Sequence, residues 1–374
     1  MTRLKRCWQR LRKRVESAAL GQSRTPLFSL ETGLQLLAVL YGAVMAIRAH
    51  LYAKGVLPIQ ALPCRVVSIG NIIAGGTGKT PMTIMVAQLI RDLGYRVVVI
   101  SRGYRGRMET AGGIVSDGKT IFQGPEDAGD EPYLMARILK GIPVVVGKRR
   151  YDAGMLAVER FQPHVIVLDD AFQHIRLKRD LNLVLLDSRA PFGNGYLLPR
   201  GVLREPVAAL RRAHAVILTR SDPVRKSATP DGLPERRPVY HTTHLPVIRR
   251  TNPGGGVFLT DTTDISLLTG KRALAFAGLA DNAQFFESLE LAGCTLVRTL
   301  SFSDHHKYSS RDLGRIAEAA RETNAEVIVA TLKDFVKIES GTPWPVKAVA
   351  VDATVALTHD DASFRRMIST ALQV

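Results

Sequence analysis

Val66-Val67-Ser68-Ile69-Gly70-Asn71-Ile72-Ile73-Ala74-Gly75-Gly76-Thr77-Gly78-Lys79-Thr80 is the stretch whose reading decides the fold. Its first four residues, mostly β-branched, read as a buried strand. The glycine-rich run follows at once, and over residues 80–93 apolar side chains recur at helical spacing. Strand, glycine-rich turn and helix form the context in which a phosphate-binding loop works. Glycines let the main chain fold tightly and aim N–H groups at phosphate oxygens, and the helix N-terminus adds positive potential. On this reading Ile73, Ala74, Gly75, Gly76, Thr77, Gly78, Lys79 and Thr80 cradle the phosphates of ATP. Lys79 serves the β- and γ-phosphates, and the Thr80 hydroxyl holds Mg²⁺. The strict pattern G-x-x-x-x-G-K-[ST] puts glycine where this chain has Ile73, and glycines stand at 70, 75 and 76 instead. Pro81 fits just inside the helix, where an N–H is not needed.

Outward from the loop, short β-branched runs at 64–69, 96–101, 142–146, 164–168, 182–186 and 215–218 alternate with helical patterns at 80–93 and 131–139. That rhythm predicts a parallel, doubly wound α/β sheet. Prolines 223, 230, 234, 238 and 246 and the run Pro253-Gly254-Gly255-Gly256 then read as a linker. A second α/β pattern follows, with strands at 272–276, 295–299, 326–331 and 346–351 and helices at 283–292 and 310–323. The expected organisation is an N-terminal segment over 1–55, a P-loop domain over 56–235, a hinge over 236–256 and a smaller α/β domain over 257–374. Ligands bind in clefts between domains and beyond the carboxyl ends of strands.

Composition narrows the partners. Of the 374 residues, 51 are Lys or Arg and 34 are Asp or Glu, a net charge of +17 that attracts polyanions such as nucleic acid, anionic lipid or phosphorylated substrates. Cys7, Cys64 and Cys294 are far apart, which argues against a disulfide framework or a zinc site and for a reducing compartment. Eight of the bases, with the single acid Glu16, fall within residues 1–24. An uncharged stretch at 32–47 comes next, with Leu36, Leu40, Val44, Ile47 and Leu51 at helical spacing. Sixteen helical residues span about 24 Å, short of a hydrocarbon core of about 30 Å. The expectation is a helix lying in the membrane interface, its flanking bases on anionic headgroups. A buried core helix and a true crossing are the alternatives.

Further polar groups sit where such a site needs them. Asp169-Asp170 closes the apolar run 165–168, and a carboxylate at a strand end beside a P-loop is placed to organise Mg²⁺; a plain helix cap is the other reading. Gly129-Asp130-Glu131-Pro132 opens a helix, where acids also favour the dipole. In Asp304-His305-His306 adjacent side chains diverge, so one histidine orienting a carboxylate is a better reading than two chelating a metal, and surface histidines remain open. Basic loops at 101–106, 147–150 and 198–206 offer arginines for bidentate phosphate contacts, or are solvated charge.

Taken in order, the motifs SxGNIIAGGTGKTP, SRGYRG, GDEP, GKRR, LDDAFQH, LLPRGVLREP, FSDHHKY and TLKDFVK resemble the tetraacyldisaccharide 4'-kinase (lipid A 4'-kinase) family, over about residues 25–340. The resemblance implies transfer of the ATP γ-phosphate to the 4'-hydroxyl of a tetraacyldisaccharide 1-phosphate, giving lipid IVA in lipid A biosynthesis. It implies Mg²⁺, two α/β domains joined by a hinge, and attachment to the cytoplasmic face of the inner membrane. By matching motif positions it also implies roles: Lys79 and Asp130 catalytic, Asp130 as base, and His305 its partner across the cleft. Thr80, Glu131, Asp169 and Asp170 match the metal and nucleotide group, and Arg150 and Arg204 match substrate- or nucleotide-phosphate positions. The chain departs from the pattern at Ala171, where DDGFQH is common, and at Leu332, where TEKD often has an acid.

A membrane-associated switch ATPase of the septum-positioning and partition type shares the GG-x-GKT loop and amphipathic helices, but places a signature lysine where this chain has Ala74. A nucleic-acid-binding NTPase finds no aromatic–basic interleaving to support it. No nucleic acid and no obligate protein partner are expected.

Overall fold

The computed structural model describes residues 30–222, 229–251, 257–279, 281–338 and 342–373. The basic segment 1–24 and the run Pro253–Gly256 of the expected hinge lie outside the described residues. The architecture is mixed α/β on a mostly parallel sheet, in two compact units. Among the described residues, the first draws on 30–102, 149–243 and 356–373, and the second on 103–148 and 244–355.

In chain order the elements are α1 (Leu30–Ala53), β1 (Arg65–Asn71), α2 (Lys79–Asp92), β2 (Val97–Ser101), β3 (Gly113–Ser116), α3 (Pro125–Ala128), α4 (Asp130–Ile138), β4 (Val144–Val146) and α5 (Arg150–Phe161). There follow β5 (Val165–Leu168), β6 (Leu181–Asp187), β7 (Ala215–Thr219), β8 (Val239–Thr251), β9 (Val257–Asp264), β10 (Arg272–Ala277), α6 (Asn282–Leu291) and β11 (Thr295–Ser301). The chain ends with α7 (Ser310–Glu322), β12 (Val327–Thr331), α8 (Leu332–Phe335), β13 (Lys347–Leu357) and α9 (Asp361–Leu372).

In the first unit β7, β6, β1, β5 and β2 lie side by side and parallel, joined at the β7 edge by the start of β8. Val66, Val67, Ile69, Ile166, Val167, Leu183 and Leu185 are wholly buried, as strands covered on both faces require. β1 sits between β5 and β6, and the chain leaves it for β2 on one side and later returns to β6 on the other. That is a topological switch point, and the glycine-rich loop emerges at its carboxyl end.

In the second unit β11, β10, β12 and β13 are parallel around a core that includes Ala275, Leu289, Val329 and Val349. β9 runs antiparallel to β8, and β4 antiparallel to β3. Ser309 and Asp312 close a capping box at the start of α7, which fixes where the chain turns after the histidine segment.

Two segments fall differently from the sequence expectation. Most of 236–256, read as hinge, is strand β8; Tyr240 packs edge-on against Phe364, ring centroids 5.0 Å apart. Pro230 and Pro234 each precede a turn and Pro246 lies within β8, while Val239 to Thr243 has strand chemistry. Residues 103–148 belong to the second unit and 356–374 to the first. Local periodicity reveals strands and helices but not which sheet each joins.

Candidate active site

The phosphate loop forms from its glycines. Gly75 (φ 127°) and Gly78 (φ 78°) hold left-handed backbone that side chains resist. A Cβ on Gly70 would lie 2.6 Å from that of Phe172, so this position needs hydrogen for contact between the loop base and the segment after β5. Ile73 needs no glycine, because it forms an antiparallel bridge with Leu203. Around it, Ala74 N donates to Val202 O at 2.7 Å and Arg204 N to Ile72 O at 2.7 Å. The departure from the strict motif is thus a strand-like anchor onto the 198–206 loop. Asn71 Nδ2 donates to Thr77 Oγ1 at 2.9 Å, and Lys79 Nζ lies 3.4 Å from Gly75 O. Open space surrounds the Cβ positions of Gly75 and Gly76, as a backbone cradle for phosphates requires.

Asp169 and Asp170 follow β5 beside this loop. Asp169 is 2% exposed and accepts from Thr83 Oγ1 at 3.0 Å and Ser101 Oγ at 3.1 Å. Arg150 is also buried and donates from Nη2 to the Asp169 carbonyl at 3.3 Å, a bond that braces this turn. Asp170 has φ 47°, and its carboxylate takes Arg204 Nη1 at 3.0 Å, with Lys79 Nζ at 3.8 Å. Burial pushes the Asp170 carboxyl up, but the Lys79 and Arg204 charges outweigh it and hold it below the usual carboxylate range. Ala171 has ordinary backbone and its N–H donates to Ile69 O at 3.2 Å, so the missing glycine leaves this turn intact.

These oxygens suit Mg²⁺, a hard cation bound through one or two carboxylates and nucleotide phosphates. Among the described residues no group of three or more His, Cys, Asp or Glu could hold a metal. Thr80, Asp169 and Asp170 belong to the first unit, whereas Glu131 is exposed at the start of α4 in the second.

The second unit carries its own constellation. Gly129 (φ 90°) precedes α4, and a Cβ there would stand 2.9 Å from Tyr104 O, so the SRGYRG and GDEP motifs meet backbone to backbone. Asp130 opens α4, and its Oδ2 lies 2.8 Å from His305 Nδ1 and 3.2 Å from Lys337 Nζ. His305 holds left-handed backbone (φ 59°), its Nε2 is 3.7 Å from Asp304 Oδ2, and the Tyr104 ring stands edge-on with centroids 6.4 Å apart. Non-glycine residues in such conformations cluster at functional sites. Burial pushes Asp130 up; hydrogen bonding from His305 and the Lys337 ammonium outweigh it and hold the carboxyl below its ordinary value. His306 turns elsewhere, to Asp312 Oδ2 at 3.2 Å, so the two histidines diverge as expected. The expectation that Asp130 and His305 belong to different domains is corrected: both lie in the second unit.

Thr83 lies outside the quoted motifs, while Ser101 opens SRGYRG and Lys337 closes TLKDFVK without either being given a role by the sequence. Asp334, beside the Leu332 departure, is fully buried in the short helix α8. Its Oδ2 accepts from Thr331 Oγ1 at 2.6 Å and Gly278 N at 2.9 Å, and Lys337 Nζ is 3.7 Å from Oδ1. Leu332 is buried apolar packing, so an acid at that position is not what orders the turn. The usable signal in the sequence is the i,i+3 spacing of Asp334 and Lys337, which puts both on one helical face.

Helix α1 runs 24 residues, longer than the uncharged stretch, because Glu31 and Arg48 lie inside it. Leu36, Leu37, Val39, Leu40, Val44 and Ile47 are exposed, a continuous apolar face. The other face is docked: Leu34 and Ala38 are buried, Tyr41 Oη donates to Arg204 O at 2.8 Å, and Arg48 Nη2 to Gln173 O at 3.0 Å. By length and composition alone the helix could cross a membrane, and its apolar face is consistent with membrane association.

A glycine cradle at the switch point of a parallel sheet, with lysine and carboxylates around it, defines a P-loop phosphotransferase. Residues 30–373 match the family model described as LpxK: Tetraacyldisaccharide-1-P 4'-kinase. The chain belongs to that family, and its activity is that of a tetraacyldisaccharide 4'-kinase in lipid A biosynthesis. A tetraacyldisaccharide 4'-kinase from Desulfatibacillum aliphaticivorans is 41% identical over 371 residues, 97% of this chain and 99% of that protein. One from Syntrophus aciditrophicus (strain SB) is 42% identical over 342 residues, 88% of this chain and 89% of that protein. A crystal structure of LpxK from Aquifex aeolicus in complex with ATP superposes with a TM-score of 0.76 at 32% identity, covering 92% of this chain and 100% of that one. Family membership removes the switch-ATPase alternative.

Proposed function

We propose that this kinase uses ATP with Mg²⁺ and deprotonates the sugar 4'-hydroxyl of tetraacyldisaccharide 1-phosphate with Asp130. The observation that carries the proposal is the 2.8 Å contact between Asp130 Oδ2 and His305 Nδ1. A sugar hydroxyl is a weak nucleophile, and a positioned carboxylate can take its proton as the oxygen attacks. An imidazole Nδ1–H donated to that carboxylate fixes its orientation. Held below the usual range, Asp130 is ionised at neutral pH and ready to accept a proton.

The phosphate end rests on the first unit. The backbone of 73–78 and Lys79 would hold the nucleotide phosphates, and Lys79 would stabilise negative charge on the transferring group. Thr80, Asp169 and Asp170 would hold Mg²⁺, which when bound neutralises charge on the phosphate oxygens. Ser101 and Thr83 keep the Asp169 carboxylate oriented, and Arg150 steadies its backbone. Arg204 is paired with Asp170, so we assign it to ordering the acidic turn and to substrate or nucleotide phosphate. Glu131, exposed beside Asp130, is proposed for the same metal and nucleotide group.

Helix α1 is proposed to lie in the interface on the cytoplasmic face of the inner membrane. It is fastened to the first unit near both ends, by Arg200 donating to Glu31 O at 3.3 Å and by Arg48. A crossing would have to break these bonds, whereas a helix lying flat keeps them and offers its apolar face to acyl chains. The partners are then the acylated disaccharide 1-phosphate and anionic inner-membrane lipid, with no nucleic acid.

The test is transfer from γ-labelled ATP, with Mg²⁺, to detergent-solubilised tetraacyldisaccharide 1-phosphate. Label should enter the lipid with the wild-type chain and fall by roughly a hundredfold or more with Asp130→Asn. Turnover near wild type in that variant would remove Asp130 as the base.

A further inference from the structure

The Asp130 carboxylate has a second partner that the base–histidine pair does not account for. Lys337, just beyond α8, has its side chain only 7% exposed, and its Nζ lies 3.2 Å from Asp130 Oδ2 and 3.7 Å from Asp334 Oδ1. The same ammonium donates to His306 O at 3.5 Å. A lysine buried this far needs its charge matched, and two carboxylates and a carbonyl supply that match.

The far side of the ammonium is rigidly built. Asp334 is fully buried, caps its own turn through Thr331 and accepts from the Gly278 N–H. A Cβ on Gly278 would stand 2.9 Å from Asp334 Oδ1, so glycine there keeps that oxygen accessible. Phe276 packs edge-on against Tyr308 at 5.5 Å, and burial beside Asp334 pushes the Tyr308 hydroxyl far up, keeping it neutral. Lys337 therefore stands on a fixed platform.

The two contacts on Asp130 have one feature in common. His305 and Lys337 both address Oδ2, which leaves Oδ1 with no partner among the described residues. Two donors converging on one carboxylate oxygen fix the plane of the group and leave the other oxygen available to an acceptor hydroxyl. We infer that Lys337 is a positioning residue of the transfer reaction, holding the Asp130 carboxylate from the Asp334 platform so that Oδ1 stays free for the acceptor. This rests on the proposal that Asp130 is the base. Lys337 does not itself touch the reacting atoms; it acts through Asp130.

The experiment is a mutant cycle with a rescue. Lys337→Met, Lys337→Arg, Asp130→Asn and the double variant Lys337→Met/Asp130→Asn are compared by steady-state transfer to tetraacyldisaccharide 1-phosphate over a range of ATP concentrations, with folding checked by thermal melting. Lys337→Met should lower kcat about tenfold to a hundredfold with KM for ATP unchanged, and Lys337→Arg should recover most of the loss. In the Asp130→Asn background, Lys337→Met should cost no further rate. If the two losses multiply, Lys337 does not act through Asp130 and the inference fails, as it does if Lys337→Met keeps wild-type kcat. Should Lys337→Met not fold, Lys337→Gln replaces it in the same cycle, and the same outcomes support or overturn the inference. Asp130→Asn at wild-type turnover would instead sink the base assignment itself.

Discussion

Asp130 and His305 stand 175 positions apart in the chain, yet Oδ2 of one and Nδ1 of the other are 2.8 Å apart within one unit. Gly129 and Gly103 let the segment before Asp130 abut the backbone of 103–104, and the Tyr104 ring there stands edge-on to His305. If His305 orients the base, its loss should be milder than loss of the base. Asp130→Asn should reduce kcat by about 10²–10⁴, the usual worth of a positioned base. His305→Gln should reduce it by roughly a tenth to a hundredth of that factor. Initial rates at saturating ATP and lipid test the ranking, and equal losses would mean that His305 touches the acceptor directly.

Lys79 shares the Asp170 carboxylate with Arg204, and Arg204 is the closer cation. Removing Arg204 leaves Lys79 as the nearest cation to Asp170 and draws the lysine away from phosphate. Arg204→Ala should therefore weaken ATP binding as well as transfer, by roughly tenfold, about 1.4 kcal/mol. Calorimetric titration of ATP with and without Mg²⁺ reads this directly. An unchanged ATP affinity with a raised lipid KM would assign Arg204 to the lipid substrate alone.

Gly70 makes a sharper stability prediction. Alanine there would force its Cβ to within 2.6 Å of the Phe172 Cβ and 2.8 Å of the Phe172 backbone nitrogen. Neither atom lies at the end of a flexible chain, so backbone must shift. Gly70→Ala should destabilise by about 1–3 kcal/mol, as overpacking does. Gly76→Ala meets open space and should leave the denaturant midpoint almost unchanged while impairing ATP binding. Urea melts of the two variants check the contrast.

The phosphate loop can be read from sequence because its requirements are local: a strand, glycines in left-handed backbone and a helix start within about fifteen residues. Asp169 and Asp170 are legible for the same reason, standing at the end of an apolar run. Asp130 is not, since an acid in a first helical turn has a local explanation that hides any other. It emerges only through the motif order, and its meeting with His305 depends on residues 103–148 joining the second unit, which no periodicity encodes. Lys337 is further from reach, because its partners come from α4, α8 and the histidine loop. Helix α1 is legible but truncated, since a charge-free window ends at charges the helix itself contains.

His174 supplies a pH dependence. Burial, joined by the charges of Arg150, Arg179, Arg48 and Arg176, brings it down to about 4. In the unfolded chain it titrates near about 6.5. Between about 4 and 6.5 the unfolded state therefore binds more protons than the folded one, so stability falls as pH drops through that window. His174→Gln removes this one titration. The difference in melting temperature between wild type and variant should change between about pH 7 and pH 5, with wild type losing more on acidification. Parallel curves would mean that His174 titrates alike in the folded and unfolded chain.

The exposed face of α1 offers a test of attachment separable from catalysis. Leu36, Leu40, Val44 and Ile47 lie on that face, whereas Tyr41 and Arg48 on the other are hydrogen-bonded to the first unit. Replacing Leu40 and Val44 with lysine removes buried apolar area only if acyl chains cover it. Each such side chain is worth about 1.5–3 kcal/mol when fully buried, so the pair should weaken vesicle binding by roughly tenfold or more. Melting temperature should hold, because these side chains support no packing within the chain. Co-sedimentation with phosphatidylglycerol-containing vesicles reads the binding, and transfer to detergent-dispersed substrate reads the catalytic centre. Binding should fall while transfer in detergent is retained. The complementary variant, Tyr41→Phe, removes a bond to the Arg204 carbonyl at 2.8 Å and should instead disturb transfer while leaving vesicle binding intact. If the lysine pair leaves vesicle binding unchanged, the apolar face of α1 is not what meets the bilayer, and attachment must rest on the basic residues that precede it.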